Sequence, residues 1–148
     1  FTAIDPIKPS LVIPLNVREA ASPKVKISID KDNPVIHLKV YLEGDLLAVQ
    51  SRISYEEPEL KQVLEKAFEK QIKDGLDRLM KKLKKMGTDI CGFGRTAAKQ
   101  FLTIQEWEEY EWLSKFKNAE ITTEVDFIIR RTGTQLKCSP IISSEGKE

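Results

Sequence analysis

The sequence has little of what catalysis or metal binding usually needs. Its 148 residues include one histidine, His37, and two cysteines, Cys91 and Cys138. Two thiols alone cannot hold a zinc ion, and no His, Cys or carboxylate set stands at ligand spacing, so no metal site is expected. The cysteines could pair, but two are too few to assign a redox compartment. His37 has no sequence neighbour with which to form a nucleophile–base pair. Gly92-Phe93-Gly94-Arg95 lacks the third glycine of a dinucleotide loop and follows a helix rather than a strand. Adjacent carboxylates such as Glu56-Glu57 and Glu108-Glu109 diverge on a helix and point to solvent. No catalytic residue, no cofactor and no enzyme are expected.

Charge of one sign is also missing. Twenty-four basic residues face 23 acidic ones, a formal net charge of +1. The basic runs Lys81 to Lys85 and Arg130-Arg131 are therefore no case for nucleic acid as a partner. No apolar run approaches the ~18 residues that would cross a bilayer. No signal peptide or lipidation motif is present, and the chain starts at Phe1, so it reads as a segment of a longer protein, itself soluble.

What is present is one long helical pattern. Leu60, Val63, Leu64, Ala67, Phe68, Ile72, Leu76, Leu79, Met80, Leu83 and Met86 recur in steps of three and four, an apolar stripe on a helix from Pro58 to Met86. At 1.5 Å per residue that helix is about 43 Å long, so other elements must wrap along it. Ser54 with Glu57 would form a capping box, whereas Pro58 suits a first helical position. Gly75 inside the helix predicts a close approach by another backbone. Gly87 fits the residue just past the helix end.

Four of the seven prolines fall within residues 1–23, which read as an extended arm or linker. Lys24 to Asp30 alternates, with Val25, Ile27 and Ile29 on one face. Lys31-Asp32-Asn33-Pro34 is a turn signal. Val35 to Gln50 alternates too, placing Ile36, Leu38, Val40 and Leu42 on one side and His37, Lys39, Tyr41 and Glu43 on the other; Gly44 marks a turn or a bulge. Thr103 and Glu106 form a capping box that opens a helix to about Phe116, carrying Trp107, Tyr110, Trp112 and Leu113. These do not fit one narrow stripe, so a tryptophan is expected at a rim or interface. Ala119 to Arg131 alternates as a long strand, turned by Thr132-Gly133-Thr134. The expected fold is α+β: a curved antiparallel sheet of four or more strands wrapped around one long helix, with two shorter helices. Its limits are residues 24–142, with a polar tail at 143–148.

Asp89-Ile90-Cys91-Gly92-Phe93-Gly94, then Trp107 and Trp112 with Phe116, then Ile128-Ile129-Arg130-Arg131-Thr132-Gly133 together resemble the C-terminal domain of the Ger(x)C spore germination proteins. The likeness covers about residues 24 to 134 in the same order. Cys91 departs from the pattern, where a large apolar residue is expected, and reads as a small core residue. The resemblance implies a lipoprotein C subunit of a germinant receptor. Such a subunit is held at the outer face of the spore inner membrane by an N-terminal lipid absent from this segment, and works with membrane A and B subunits. It brings no catalytic residues. Asp89, Gly92, Phe93, Gly94, Trp107, Arg130 and Gly133 read as structural signature positions. Arg95, Arg131 and an exposed Trp112 read as a candidate docking surface, since Arg and Trp are enriched at interface hot spots. The alternative function is a domain that binds a small-molecule germinant directly, in an apolar pocket with a few convergent polar groups.

Overall fold

The apolar stripe folds as one unbroken helix, α1 (Pro58–Met86), of 29 residues. The computed structural model describes residues 1–29, 33–51 and 53–132. Lys31-Asp32, Gly133 and its turn, Cys138 and the tail 143–148 lie outside the described residues. Pro58 takes the first helical turn and Glu57 the N-cap without a side-chain cap bond, so the proline reading prevails over the Ser54–Glu57 box. Gly87 ends the helix in the left-handed region at φ 65°, and Thr88 N–H bonds back to the Leu83 carbonyl at 3.2 Å.

Four strands surround α1: β1 (Thr2–Ile4), β2 (Val12–Ile29), β3 (Pro34–Leu46) and β4 (Glu120–Arg131). They form one sheet in the order β1-β2-β3-β4. The α+β class and the sheet curved around a long helix are as expected. One pairing is not: β1–β2 and β2–β3 are antiparallel, but β3 pairs with β4 in parallel, Ile36 opposite Ile121 and Leu42 opposite Phe127, so the sheet is mixed. Alternation is the same in either direction. Direction depends on the crossover, here all the chain from Leu47 to Ala119.

Within residues 1–23, 2–4 and 12–23 are strands of the sheet rather than an arm, joined by a non-strand link at 5–11: Ala3, Ile13 and Leu15 are in the core. Register shifts between Glu19 and Ala21 and between Ala21 and Lys24 bend β2, and Pro23 sits at this bulge, where a missing donor is tolerated. Strand β3 ends at Leu46 rather than running on to Gln50. Gly44 is a close approach: a Cβ there would lie 2.5 Å from Phe127 Cζ.

Three short helices, rather than two, lie between α1 and β4: α2 (Phe93–Ala98), α3 (Ile104–Glu109) and α4 (Trp112–Phe116). The helix expected from Thr103 to Phe116 breaks at Glu111, whose φ of 51° is left-handed. That break turns Trp112 and Phe116 inward while Leu113 stays exposed.

Two apolar clusters share α1. Its first half contributes Leu64 and Phe68 to a cluster with Ala3, Ile13, Leu15, Leu46, Tyr55, Phe127 and Ile129. Its second half contributes Met80 and Leu83 to a cluster with Ile36, Leu38, Phe93, Ala97, Trp112 and Phe116. Gly75 lies between the halves and meets no other backbone; a Cβ there would find only Arg78 Nη2, at 3.8 Å. Gly75→Ala is therefore expected to raise the unfolding free energy by about 0.5–1 kcal/mol, through helix propensity and a less flexible unfolded chain. A higher urea midpoint with an unchanged slope would report it.

The helix also closes the sheet. A free strand edge exposes unpaired N–H and C=O groups. On β4, the N–H groups of Phe127 and Ile129 donate to Glu69 Oε1 (3.1 Å) and Glu65 Oε1 (2.8 Å), and Thr123 Oγ1 donates to Asp77 Oδ1. On β1, Ile4 N–H donates to Gln71 Oε1 at 3.2 Å, and Gln71 Nε2 donates to the Ile4 carbonyl at 3.3 Å. One helix thus seals both edges with polar side chains that the sequence presents as an ordinary solvated face.

Candidate functional site

The signature segments meet at the end of the molecule where α1 stops. Gly92 adopts φ 71°, which reverses the chain and directs Phe93 into the core. Asp89 anchors the turn. Its Oδ1 accepts from Phe93 N–H at 3.0 Å, and its Oδ2 accepts from Gly94 N–H at 2.6 Å and Trp112 Nε1 at 3.0 Å. One carboxylate therefore satisfies the start of α2 and ties it to α4. Gly94 leaves room for the indole, since a Cβ there would lie 2.8 Å from Trp112 Nε1.

Aromatic rings continue from this point. Trp112 packs against Phe116 at 5.9 Å and Trp107 at 5.8 Å between ring centroids; Trp107 meets Phe101 at 5.3 Å. Trp107 is the half-buried rim tryptophan. Trp112 is buried, which overturns its assignment as an exposed docking residue. Its indole fills the space left by Gly94, a long-range fit invisible in helical periodicity. Cys91 is also opposite to expectation: it is exposed, and Phe93 supplies the buried side chain of the segment. Thr103 caps α3 by accepting from Glu106 N–H at 3.2 Å, but Glu106 reaches back to Leu102 N–H rather than to Thr103.

Arg95 and Arg131 are both exposed, but they do not form one surface. Arg95 belongs to α2, which packs near Ile36 and Leu38 and hence at the Ile121 end of β4. Arg131 ends β4, about 33 Å away along the strand at 3.3 Å per residue. Arg130 pairs across the outer face of the sheet. Its Nε lies 2.6 Å from Glu43 Oε2, and Glu43 Oε1 is 2.5 Å from Arg18 Nε; Arg18 also reaches Asp45 at 2.9 Å. Arg130 and then Arg18 hold the Glu43 carboxyl below the usual carboxylate range. This network ties β2, β3 and β4 together, a structural role for Arg130. His37 is exposed on the outer face, as alternation predicts.

Sequence reasoning missed a buried polar cluster at the other end. Asp5 is fully buried, and its Oδ1 accepts from Tyr55 Oη at 2.6 Å, Ile7 N–H at 2.9 Å and Lys8 N–H at 3.0 Å. Burial opposes ionisation of Asp5, but the Tyr55 hydroxyl and the two N–H groups outweigh it and lower the pKa. Burial and the same carboxylate push the Tyr55 hydroxyl far up, so it stays a donor.

Among the described residues, two clefts are shallow and open to the surface. One of about 350 Å³ is lined by Trp107, Glu108, Glu111, Trp112, Leu113 and Ser114. Another of about 310 Å³ lies between α1 and β4, beside Lys73, Asp77, Lys81, Lys84 and Thr122. Among the described residues, no three His, Cys, Asp or Glu side chains stand together as a metal site, and no helix is long and apolar enough to cross a membrane.

Residues 2–133 match the family described as Spore germination B3/GerAC like, C-terminal. The chain is 32% identical over 111 residues to spore germination protein KC of Bacillus subtilis (strain 168), covering 73% of this chain and 26% of that protein. It thus spans about a quarter of that relative's length. Its fold is similar to that in the crystal structure of the GerBC protein, with a TM-score of 0.59 and 21% identity over 80% of this chain and 42% of that one.

Proposed function

Because the chain belongs to the spore germination B3/GerAC-like, C-terminal family, that of the Ger(x)C proteins, we propose that it is a non-enzymatic domain of a germinant-receptor C subunit. In this reading it acts in spore germination by docking to the membrane A and B subunits as scaffold or signal relay, and the whole protein is held at the outer face of the spore inner membrane by an N-terminal lipid. The observation that carries the reading is the family match along nearly the whole chain, with Asp89, Gly92, Phe93, Gly94 and Trp112 joined in one packed unit. Direct germinant binding is less favoured: a small-molecule site is normally concave and buries most of its ligand, and the two clefts among the described residues are shallow.

Arg95 remains the candidate contact of this end of the molecule and Arg131 a separate one at the far end of β4. The test is co-purification of the full-length protein with its A and B subunits from spore membranes. Arg95→Glu is expected to reduce recovery of the sister subunits and slow germination without lowering the thermal midpoint. Unchanged recovery and germination would remove Arg95 from the interface. Amide NMR shifts with a small-molecule germinant, but not with a soluble A-subunit domain, would replace docking by direct sensing.

A further inference from the structure

The α3–α4 segment combines exposed aliphatic side chains with a run of carboxylates on α3 and its junction with α4; the lysines, Lys115 and Lys117, come at the far end of α4. Leu102, before the cap of α3, is 93% exposed; Ile104 is 78% exposed and Leu113 is 55% exposed. Ile104 lies one turn before Trp107 and Glu108 on α3, so it continues the cleft that Trp107, Glu108, Glu111 and Leu113 line. Large aliphatics presented beside a groove mark a surface that gains by being covered. The rim selects what covers it. Glu108 and Glu111 line the cleft itself, and Glu106 and Glu109 are exposed next to them in sequence, four carboxylates in six residues.

We infer that this face docks an amphipathic helix with a basic rim, carried by a partner protein. Apolar side chains of that helix cover Leu102, Ile104 and Leu113, and its Lys or Arg residues meet the glutamates. Helix-in-groove recognition uses this division of labour: an apolar stripe for affinity, flanking charge for selection. The same glutamates disfavour a bilayer, because an anionic leaflet attracts basic segments and repels acidic ones. The surface uses neither Arg95 nor Arg131, and it holds for whichever protein carries the helix.

The test uses the chain's own fluorescence, since its two tryptophans, Trp107 and Trp112, both line the cleft. The protein is titrated with an 18-residue Leu/Lys amphipathic helical peptide, with a Leu/Glu peptide of the same pattern, and with phosphatidylcholine vesicles with and without phosphatidylglycerol. The Leu/Lys peptide is expected to give a saturable emission shift, weakened by salt, with affinity at least about tenfold above that of the Leu/Glu peptide. L102S/I104S, which keeps every charge, and E108K/E109K, which keeps every aliphatic, are each expected to weaken it at least about tenfold with the thermal midpoint unchanged. Equal affinity for the two peptides, or full binding by L102S/I104S, overturns the inference. A larger shift with vesicles than with peptide reassigns the face to a lipid surface. Self-association abolished by the same variants reassigns it to a second copy of this chain.

Discussion

Asp5→Ala is expected to lower the unfolding free energy by about 3–5 kcal/mol, the cost of leaving buried polar partners without their charged acceptor. The substitution strands the Tyr55 hydroxyl and the N–H groups of Ile7 and Lys8 in a site where Asp5 and Tyr55 are fully buried. It also cuts the link between the end of β1 and Tyr55, leaving β1 its pairing with β2 and the Gln71 clamp on Ile4. Asp5→Asn keeps an acceptor in place and is expected to cost less, about 1–2 kcal/mol. The two variants also separate by pH. Because the folded-state pKa of Asp5 lies below its ordinary value of 3.8, ionised Asp5 contributes its full stabilisation above about pH 4, and this is lost as pH falls through the folded pKa. Asp77, lowered by Lys73 and Thr123, adds to the same acid limb. Urea unfolding from pH 7 to pH 2 should therefore show the wild-type advantage over Asp5→Asn narrowing below about pH 4. A constant gap would mean that Asp5 ionisation does not contribute.

Gly94→Val is expected to be nearly as damaging, about 2–4 kcal/mol, from overpacking plus a lost hydrogen bond. A Cβ at this position would lie 2.8 Å and 2.9 Å from two atoms of the Trp112 ring and 3.2 Å from Asp89 Oδ2. The indole cannot swing away cheaply, because Phe116 and Trp107 pack against it and Asp89 holds its nitrogen. The variant should show a lower thermal midpoint and altered tryptophan emission together. Gly92→Ala meets open space, but at φ 71° it carries left-handed strain, so it should lose a smaller amount, about 1 kcal/mol, with emission unchanged. Loss of stability at Gly94 without an emission change would refute the Trp112 collision.

Particular residues mark how far the sequence could be read. The 3.6-residue period delimited α1 at both ends, with Pro58 and Gly87 as its punctuation. The two-residue period assigned the faces of β3 and β4, so Phe127 and Ile129 inside and His37 outside followed directly. Asp89 and Gly94 were legible as structural signature positions. Their common partner, Trp112, was not, because 23 residues separate it from Asp89 and a helix carries no record of which distant group a side chain meets. The exposed Leu102 and Ile104 were hidden for a similar reason: an apolar residue beside a capping box looks like core until the fold shows that nothing covers it.

The sequence by itself therefore determined the long helix with its two ends, the faces of β3 and β4, the Thr103 cap and the family. These follow from backbone geometry acting within a few residues, and from an ordered set of motifs. Tertiary structure alone decided that β4 joins β3 in parallel, that Glu65, Glu69 and Gln71 seal the edges of the sheet, and that Asp5 and Tyr55 share a buried hydrogen bond. It also decided that Trp112 turns inward while Cys91 turns out. Each of these joins residues far apart in the chain. Alternation and helical period do not depend on where the chain returns, whereas strand direction and side-chain partners depend on little else.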